Sequence, residues 1–281
     1  MPGLALFLAA ACALAGNDDP RPVLRLATTT STYDSGLLSA ILPGFEKDAG
    51  ARVDVIAVGT GQALALGEAG DADVLLVHAR AKEDAFLAAL HGTERRDVML
   101  NDFILVGPAA DPAGIRGLEK AADALTRIAA SKAVFASRGD DSGTHTKELA
   151  LWKAAAIEPP KAEEGYRSLG QGMGATLRYA DETAAYTLTD RGTWLSQQST
   201  LKGLEVLVGG KSIEENHDPS LRNPYGVILV NPKKNAAIQK DLATRFVVWI
   251  TSPETQAKIG TFGRERYGQA LFIPTAAKPA G

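Results

Sequence analysis

The chain reads as an α/β protein of two lobes, on three observations. Short apolar runs alternate with amphipathic helical windows from residue 23 onward, the pattern of a sheet with crossover helices. Near "VMLNDFILVGP" the chain changes character: a longer apolar segment meets a Pro/Gly-rich loop, and a new series of strand–loop–helix units follows. A late buried run, "YGVILV" at residues 225–230, can rejoin the first series. Two lobes with two crossings between them result.

Taken in order, "VLRLATT" is the first strand and "GLLSAILPGFEKDAG" the first helix. "RVDVIAV" and "GQALALGEAG" repeat the pair, and "DVLLV" with "RAKEDAFLAALHG" repeats it again. In the second lobe, "AVFASRGDDSGTHTKELALWKAAA" recapitulates strand, polar turn and helix, and "YTLTDRGTWLSQQ" gives another strand-to-helix turn. "EEGYRSL" is read as a loop before the turn "GQGMGA" and the helix "ATLRYADET". After the late strand, "AIQKDLATRFVVWITS" is a long amphipathic helix and "ETQAKIGTFG" a shorter one ending at glycine. The expected division is residues 17–107 for the first part of lobe 1, 108–222 for lobe 2 and 223–281 for the return to lobe 1.

Residues 1–16, "MPGLALFLAAACALAG", are an uncharged Ala/Leu run of signal h-region length, with "ALA" at Ala13–Ala15 as a small-residue cleavage site, although a basic n-region is lacking. Export to the periplasm is the expectation. Cys12, the one cysteine, lies in this segment, so thiol catalysis and cysteine-ligated zinc are excluded from the mature chain. Lipidation of Cys12 is the less favoured alternative to cleavage after Ala15, because "AAA" precedes it rather than a Leu-led lipobox. With 30 basic against 33 acidic residues, net charge −3, the chain has no global field to draw nucleic acid or an anionic membrane. An anion must be bound by local geometry.

Three stretches supply such geometry. "ATTTSTYDSGLL", residues 27–38, places Thr or Ser at every position from Thr28 to Thr32 after a strand, followed by Asp34 and Ser35 before an apolar run. Ligands of open α/β sheets bind beyond the carboxyl ends of strands, where helix N–H groups are unpaired. One helix cap needs one hydroxyl, and the surplus points to a site. "VGTGQAL" at residues 58–64 repeats the arrangement with Gly59 and Gly61 around Thr60, a weaker signal because such turns are common. "SRGDDSGTHTKE" at residues 137–148 adds Arg138, a fork of donors suited to an oxyanion, ahead of Ser142, Gly143 and Thr144. Two helix N-termini of about half a positive charge each and one guanidinium sum to nearly the charge of a small dianion.

These stretches, together with "GQGMGATLRYADETAAYTLTDRGT" at residues 170–193, resemble the tungstate-binding proteins of bacterial ABC transporters, the TupA family, over nearly the whole mature chain. The resemblance implies the type II periplasmic binding protein fold: two mixed, mainly parallel sheets joined by two hinge strands, with the oxyanion in a central cleft. It implies that Thr30 and Ser31 donate from one lobe with Thr60 beside them, and that Arg138, Ser142, Gly143 and Thr144 close from the other. Thr29, Thr189 and Arg191 are secondary candidates. It further implies a monomer without cofactor or catalysis that captures tungstate, with molybdate as a second cargo, and hands it to a membrane permease and its ATPase subunit.

An all-donor site suits a fully deprotonated tetrahedral anion, whereas hydrogen phosphate needs a proton acceptor; Asp34, Asp140 and Asp141 keep a phosphate-binding alternative open. A hydrolase built on Ser142 and His145 is disfavoured, because residues this close at one helix start diverge and no G-x-S-x-G elbow is present. "GQGMGA" follows no clear strand and is not a dinucleotide loop. His78, His91, His145 and His217 lack metal spacing and are expected at the surface or at caps; Trp152, Trp194 and Trp249 are expected in the core.

Overall fold

In a computed structural model, which describes residues 20–276, the chain opens with β1 (Val23–Thr29), a short helix α1 (Thr30–Asp34), α2 (Leu37–Ala49), β2 (Arg52–Val58), α3 (Thr60–Ala69), β3 (Val74–Val77), α4 (Arg80–Ala88) and the long strand β4 (Gly92–Pro108). Helix α2 forms because Leu37, Leu38, Ile41, Leu42 and Phe45 fall on one face, all buried. It stops where Gly50 turns left-handed at φ 62° and its N–H returns to Glu46 O.

The second lobe continues with α5 (Ala121–Ser131), β5 (Phe135–Ser137), α6 (Gly143–Ala154), β6 (Tyr166–Ser168), α7 (Met173–Thr183), β7 (Tyr186–Asp190), α8 (Arg191–Gln197) and β8 (Leu204–Val208). The chain then returns through β9 (Arg222–Val230), α9 (Lys240–Ile250), α10 (Pro253–Thr261), α11 (Arg264–Tyr267) and β10 (Ile273–Pro274).

β4 organises the molecule. Its first part, up to Asp102, runs antiparallel to β9 in the sheet β2-β1-β3-β9, and from Phe103 it runs antiparallel to β7 and β8 in the second sheet, where β5 and β6 pair in parallel. β4 therefore crosses between the lobes at Asp102 and Phe103, earlier than the boundary after residue 107 suggested by the loop signals. The reason is that a continuous strand carries no turn residue to mark the crossing. The return crossing lies in the loop and 3-10 turn before β9, whose first residue pairs with Asp102. Both sheets are mixed, with parallel pairing at β1–β2, β1–β3, β5–β6 and β5–β7 and antiparallel pairing through the hinge.

Each lobe has its own aromatic centre: Phe45 meets Phe246 edge-on at 5.1 Å between ring centroids in the first, and Phe135 meets Trp152 at 5.4 Å in the second. Burying each such side chain stabilises by about 1.5 to 3 kcal/mol. Trp152 and Trp194 are buried and Trp249 is partly so, as expected of core residues. Residues 1–19, with the signal segment and Cys12, lie outside the described residues. No helix among those described is long and apolar enough to cross a membrane.

Candidate functional site

The hydroxyl run after β1 divides into three roles. Thr28 faces into the sheet and donates to Leu76 O at 2.7 Å. Thr29 caps α1, its Oγ1 accepting from Thr32 N at 3.3 Å, and both Thr29 and Thr32 are buried. Thr30 and Ser31 are exposed on the first turn. Residues 30–34 form their own helical turn, which breaks at Gly36, φ 81°, before α2 starts.

Parallel pairing sets Thr29 opposite Val58, so the residues that follow each strand, Thr30 and Gly59–Thr60, leave the sheet side by side. Gly59 caps α3 without a side-chain bond to the helix, so the first N–H groups at Thr60 remain without an intrahelical partner. Thr60 itself is half-buried.

In the second lobe, β5 ends at Ser137 and the next turn folds back through two left-handed residues, Gly139 (φ 58°) and Asp141 (φ 56°). Glycine is required at 139, since a Cβ there would fall 1.9 Å from Ser168 Oγ. Arg138 donates from Nε (3.1 Å) and Nη2 (2.6 Å) to Asp140 Oδ2, and Asp140 Oδ1 accepts from Ser142 N at 3.2 Å. Burial works to raise the Asp140 carboxyl, but the bonds from Ser142 and Arg138 prevail and hold it below its ordinary range. The Arg138 Nη1 group has no hydrogen-bond partner among the described residues. Ser142 caps α6 by accepting from His145 N at 3.3 Å; Gly143 is exposed and Thr144 buried.

The two lobes meet at this turn. A Cβ on Gly143 would lie 3.4 Å from Cε1 of His78, which follows β3 in the first lobe. Thr30, Ser31 and Thr60 leave one sheet at its carboxyl edge, and the α6 turn leaves the other at its own.

Two secondary candidates are committed elsewhere. The Arg191 guanidinium is buried and donates to both Asp102 carboxylate oxygens and to Gly209 O and Gly210 O, so it serves an ion pair at the crossing rather than a ligand. Thr189 is fully buried, its hydroxyl donating to Asp190 O at 3.1 Å. The Asp140 charge also offsets that of Arg138, so the positive sum at the site is smaller than the count of donors alone suggested. With only five residues, α1 adds little dipole; the longer α3 and α6 carry that contribution.

His145 does not face Ser142 as a general base would. Its Nδ1 accepts from Asp141 N at 3.1 Å, and Ser142 Oγ is taken up by the helix cap. No cluster of His, Cys, Asp or Glu suited to a metal ion occurs among the described residues. The large concavity of about 660 Å³ beside Leu87, Gly92, Arg95 and Asn231 contains none of these residues. An open hollow of that size does not strip water from a five-atom anion; a closed seam between lobes does.

His78 is the residue that sequence reasoning misplaced. It is half-buried at the junction of the lobes, its ring 3.1 Å from both Thr29 Oγ1 and Asn223 Oδ1. Its signal was present: it follows the apolar run "VLLV" at the carboxyl end of a parallel strand, the place already used to pick out Thr30 and Thr60.

The PBP superfamily domain matches residues 17–254. The tungstate-binding protein TupA of Peptoclostridium acidaminophilum is 53% identical over 257 residues, which cover 90% of this chain and 86% of that protein. Among solved structures, the tungstate-binding protein TupA from Desulfovibrio alaskensis G20 is 48% identical with a TM-score of 0.81, over 91% of this chain and 100% of that one. The tungstate ABC transporter structure from Geobacter sulfurreducens is 50% identical with a TM-score of 0.74, over 85% and 98%.

Proposed function

The chain belongs to the PBP superfamily and, within it, to the TupA family, and from that premise we propose that it is an extracytoplasmic solute-binding protein that captures tungstate and delivers it to an ABC transporter. The observation that supports the reading is the approach of the α6 turn to the first lobe, Gly143 against His78.

Thr30, Ser31 and the α3 N-terminus at Thr60 donate from the first lobe; Arg138, through its unpartnered Nη1, and the N-terminus of α6 at Gly143 and Thr144 donate from the second. Ser142 contributes through its backbone, its hydroxyl being the helix cap. A charge-assisted hydrogen bond contributes about 1.5 to 3 kcal/mol, so several converging donors offset the desolvation of a dianion. Asp140 is held ionised, but its Oδ2 accepts from Arg138 and its Oδ1 from Ser142 N. It therefore orients the guanidinium instead of accepting the proton of hydrogen phosphate, which favours a fully deprotonated anion. Ligand binding closes the lobes because only the closed form satisfies donors on both sides, and the permease reads that closed surface. The protein carries out no chemistry on its cargo.

Isothermal titration of the protein with tungstate, molybdate, sulfate and phosphate in separate runs tests this. One-to-one tungstate binding with sulfate and phosphate silent is expected; phosphate binding in place of tungstate overturns the cargo assignment.

A further inference from the structure

Side chains at the junction of the first lobe and the hinge are linked in a chain of hydrogen bonds that runs from Thr29 through His78, Asn223 and Asn101 to Tyr225. Asn223 Nδ2 donates to Asn101 Oδ1 at 2.8 Å, and Asn101 Nδ2 donates to the Tyr225 hydroxyl at 3.2 Å. At the other end, Thr32 Oγ1 lies 2.7 Å and Ser31 Oγ 3.1 Å from Thr29 Oγ1. Thr29 Oγ1 is 3.1 Å from His78 Nε2, and His78 Nδ1 is 3.1 Å from Asn223 Oδ1. Asn101, Asn223, Tyr225, Thr29 and Thr32 are all buried.

The Asn223 amide fixes the direction at His78: its N–H goes to Asn101, so its Oδ1 is left to accept from His78 Nδ1. A neutral His78 with its proton on Nδ1 then offers Nε2 as an acceptor to Thr29 Oγ1. A satisfied buried network of this kind holds one arrangement. Burial also disfavours a charged imidazole here, drawing its pKa to about 4.

On the reading that the seam binds an oxyanion, we propose that His78 is a positioning residue for that anion: its Nε2 accepts from Thr29 Oγ1 and its Nδ1 donates to Asn223 Oδ1, which ties the ligand turn to the hinge strands. Two consequences follow. The Thr29 hydroxyl is spent on His78, so Thr29 supports rather than binds, with Ser31 Oγ resting 3.1 Å from the same Thr29 Oγ1. The chain of bonds also passes through Asn101 and Asn223, which are paired across β4 and β9 one residue before the chain leaves the first sheet. The ligand turn and the hinge are thereby held as one unit, with Gly143 of the second lobe closing against the same imidazole.

The test has two arms. Two-bond 1H–15N spectra of histidine-labelled protein at neutral pH, with and without tungstate, should show His78 neutral and protonated on Nδ1, the signal being assigned by its loss in His78→Gln. A ring protonated on Nε2, or on both nitrogens, overturns the proposal. In titration with tungstate, His78→Ala should bind at least about tenfold more weakly than the native protein, and His78→Gln, whose Oε1 can accept from Thr29, should recover most of that loss. Native affinity in His78→Ala, or equal weakness in both variants, overturns it. Absence of tungstate binding by the native protein would instead defeat the tungstate reading, and the spectra would still decide the His78 tautomer.

Discussion

Arg191 and Asp102 form a two-pronged ion pair, Nε to Oδ1 at 2.9 Å and Nη2 to Oδ2 at 2.6 Å, with both side chains almost wholly excluded from solvent. Asp102 is the last β4 residue in the first sheet and Arg191 the first residue of α8 in the second lobe. Asn216, in the return crossing, donates to the same carboxylate at 2.7 Å. One carboxylate thus gathers both crossings.

Removing it leaves a buried guanidinium without its counter-ion. Asp102→Ala is expected to lower stability by about 3 to 5 kcal/mol, read as the shift in urea midpoint at constant slope. A change below about 1 kcal/mol would mean that Gly209 O and Gly210 O alone satisfy Arg191.

Arg138→Ala should weaken tungstate binding at least about tenfold, the loss of roughly one charge-assisted bond, with little change in melting temperature because its pair with Asp140 is partly exposed. Calorimetry that returned native affinity would remove Arg138 from the site.

Gly143→Val places carbon where the His78 ring closes, since even a Cβ would sit at 3.4 Å. Gly143 is exposed at a helix start, so the fold should persist while tungstate affinity falls by roughly tenfold, about 1.4 kcal/mol. Small-angle scattering should show the variant more extended than the native protein in saturating tungstate. Equal compaction of the two would show that the lobes close without this contact.

Burial holds His78 neutral and pulls its pKa from 6.5 to about 4, the Asn223 bond opposing and the Lys147 charge assisting. The unfolded chain takes up a proton below about 6.5 and the folded one does not. This contribution to stability is therefore present above that pH and lost as pH falls toward 4. His78→Gln should flatten the fall in urea midpoint between about pH 7 and pH 5 relative to the native protein; parallel curves would refute it.

Glu148 has the opposite sign. Desolvation lifts its carboxyl above the ordinary 4.5, although Tyr166 and Trp152 both hydrogen-bond to it. Stability from this group is greatest below 4.5 and declines as pH rises through the raised value. Glu148→Gln keeps an oxygen for Trp152 and Tyr166, so at neutral pH it should leave the protein as stable or more so; marked destabilisation by thermal melts would show that the charge itself is needed.

Much of the fold was legible because alternating apolar runs and helical windows are local signals. The strands at β1, β2, β3, β7 and β9 and the helices from α2 to α4 lie where the pattern put them. β6 was read as loop since its three residues carry no periodicity, and the β4 crossing at Asp102 was hidden because a strand shared by two sheets shows no break. The rule that ligands sit at strand carboxyl ends named Thr30, Thr60 and Arg138 as candidates, and the fold sets each just beyond a strand end. The same rule applied to "VLLVH" would have reached His78, but its partner Asn223 lies 145 residues away and only the fold brings the two together.

By itself, the sequence determined the α/β class, the two lobes and the polar turns that end their strands, because periodicity and turn chemistry act between near neighbours. The tertiary structure alone decided which polar groups are free. Arginine meets an oxyanion and a carboxylate with the same fork of donors, so nothing in "SRGDDSG" or "TDRGT" separates a ligand arginine from a structural one. Arg138 keeps one amino group open beside Asp140, and Arg191 is taken up by Asp102, 89 residues distant. Thr29 and Thr30 differ no more than that in sequence, yet Thr29 is buried with its hydroxyl 3.1 Å from His78 and Thr30 is exposed, because burial and partner geometry are properties of the folded chain.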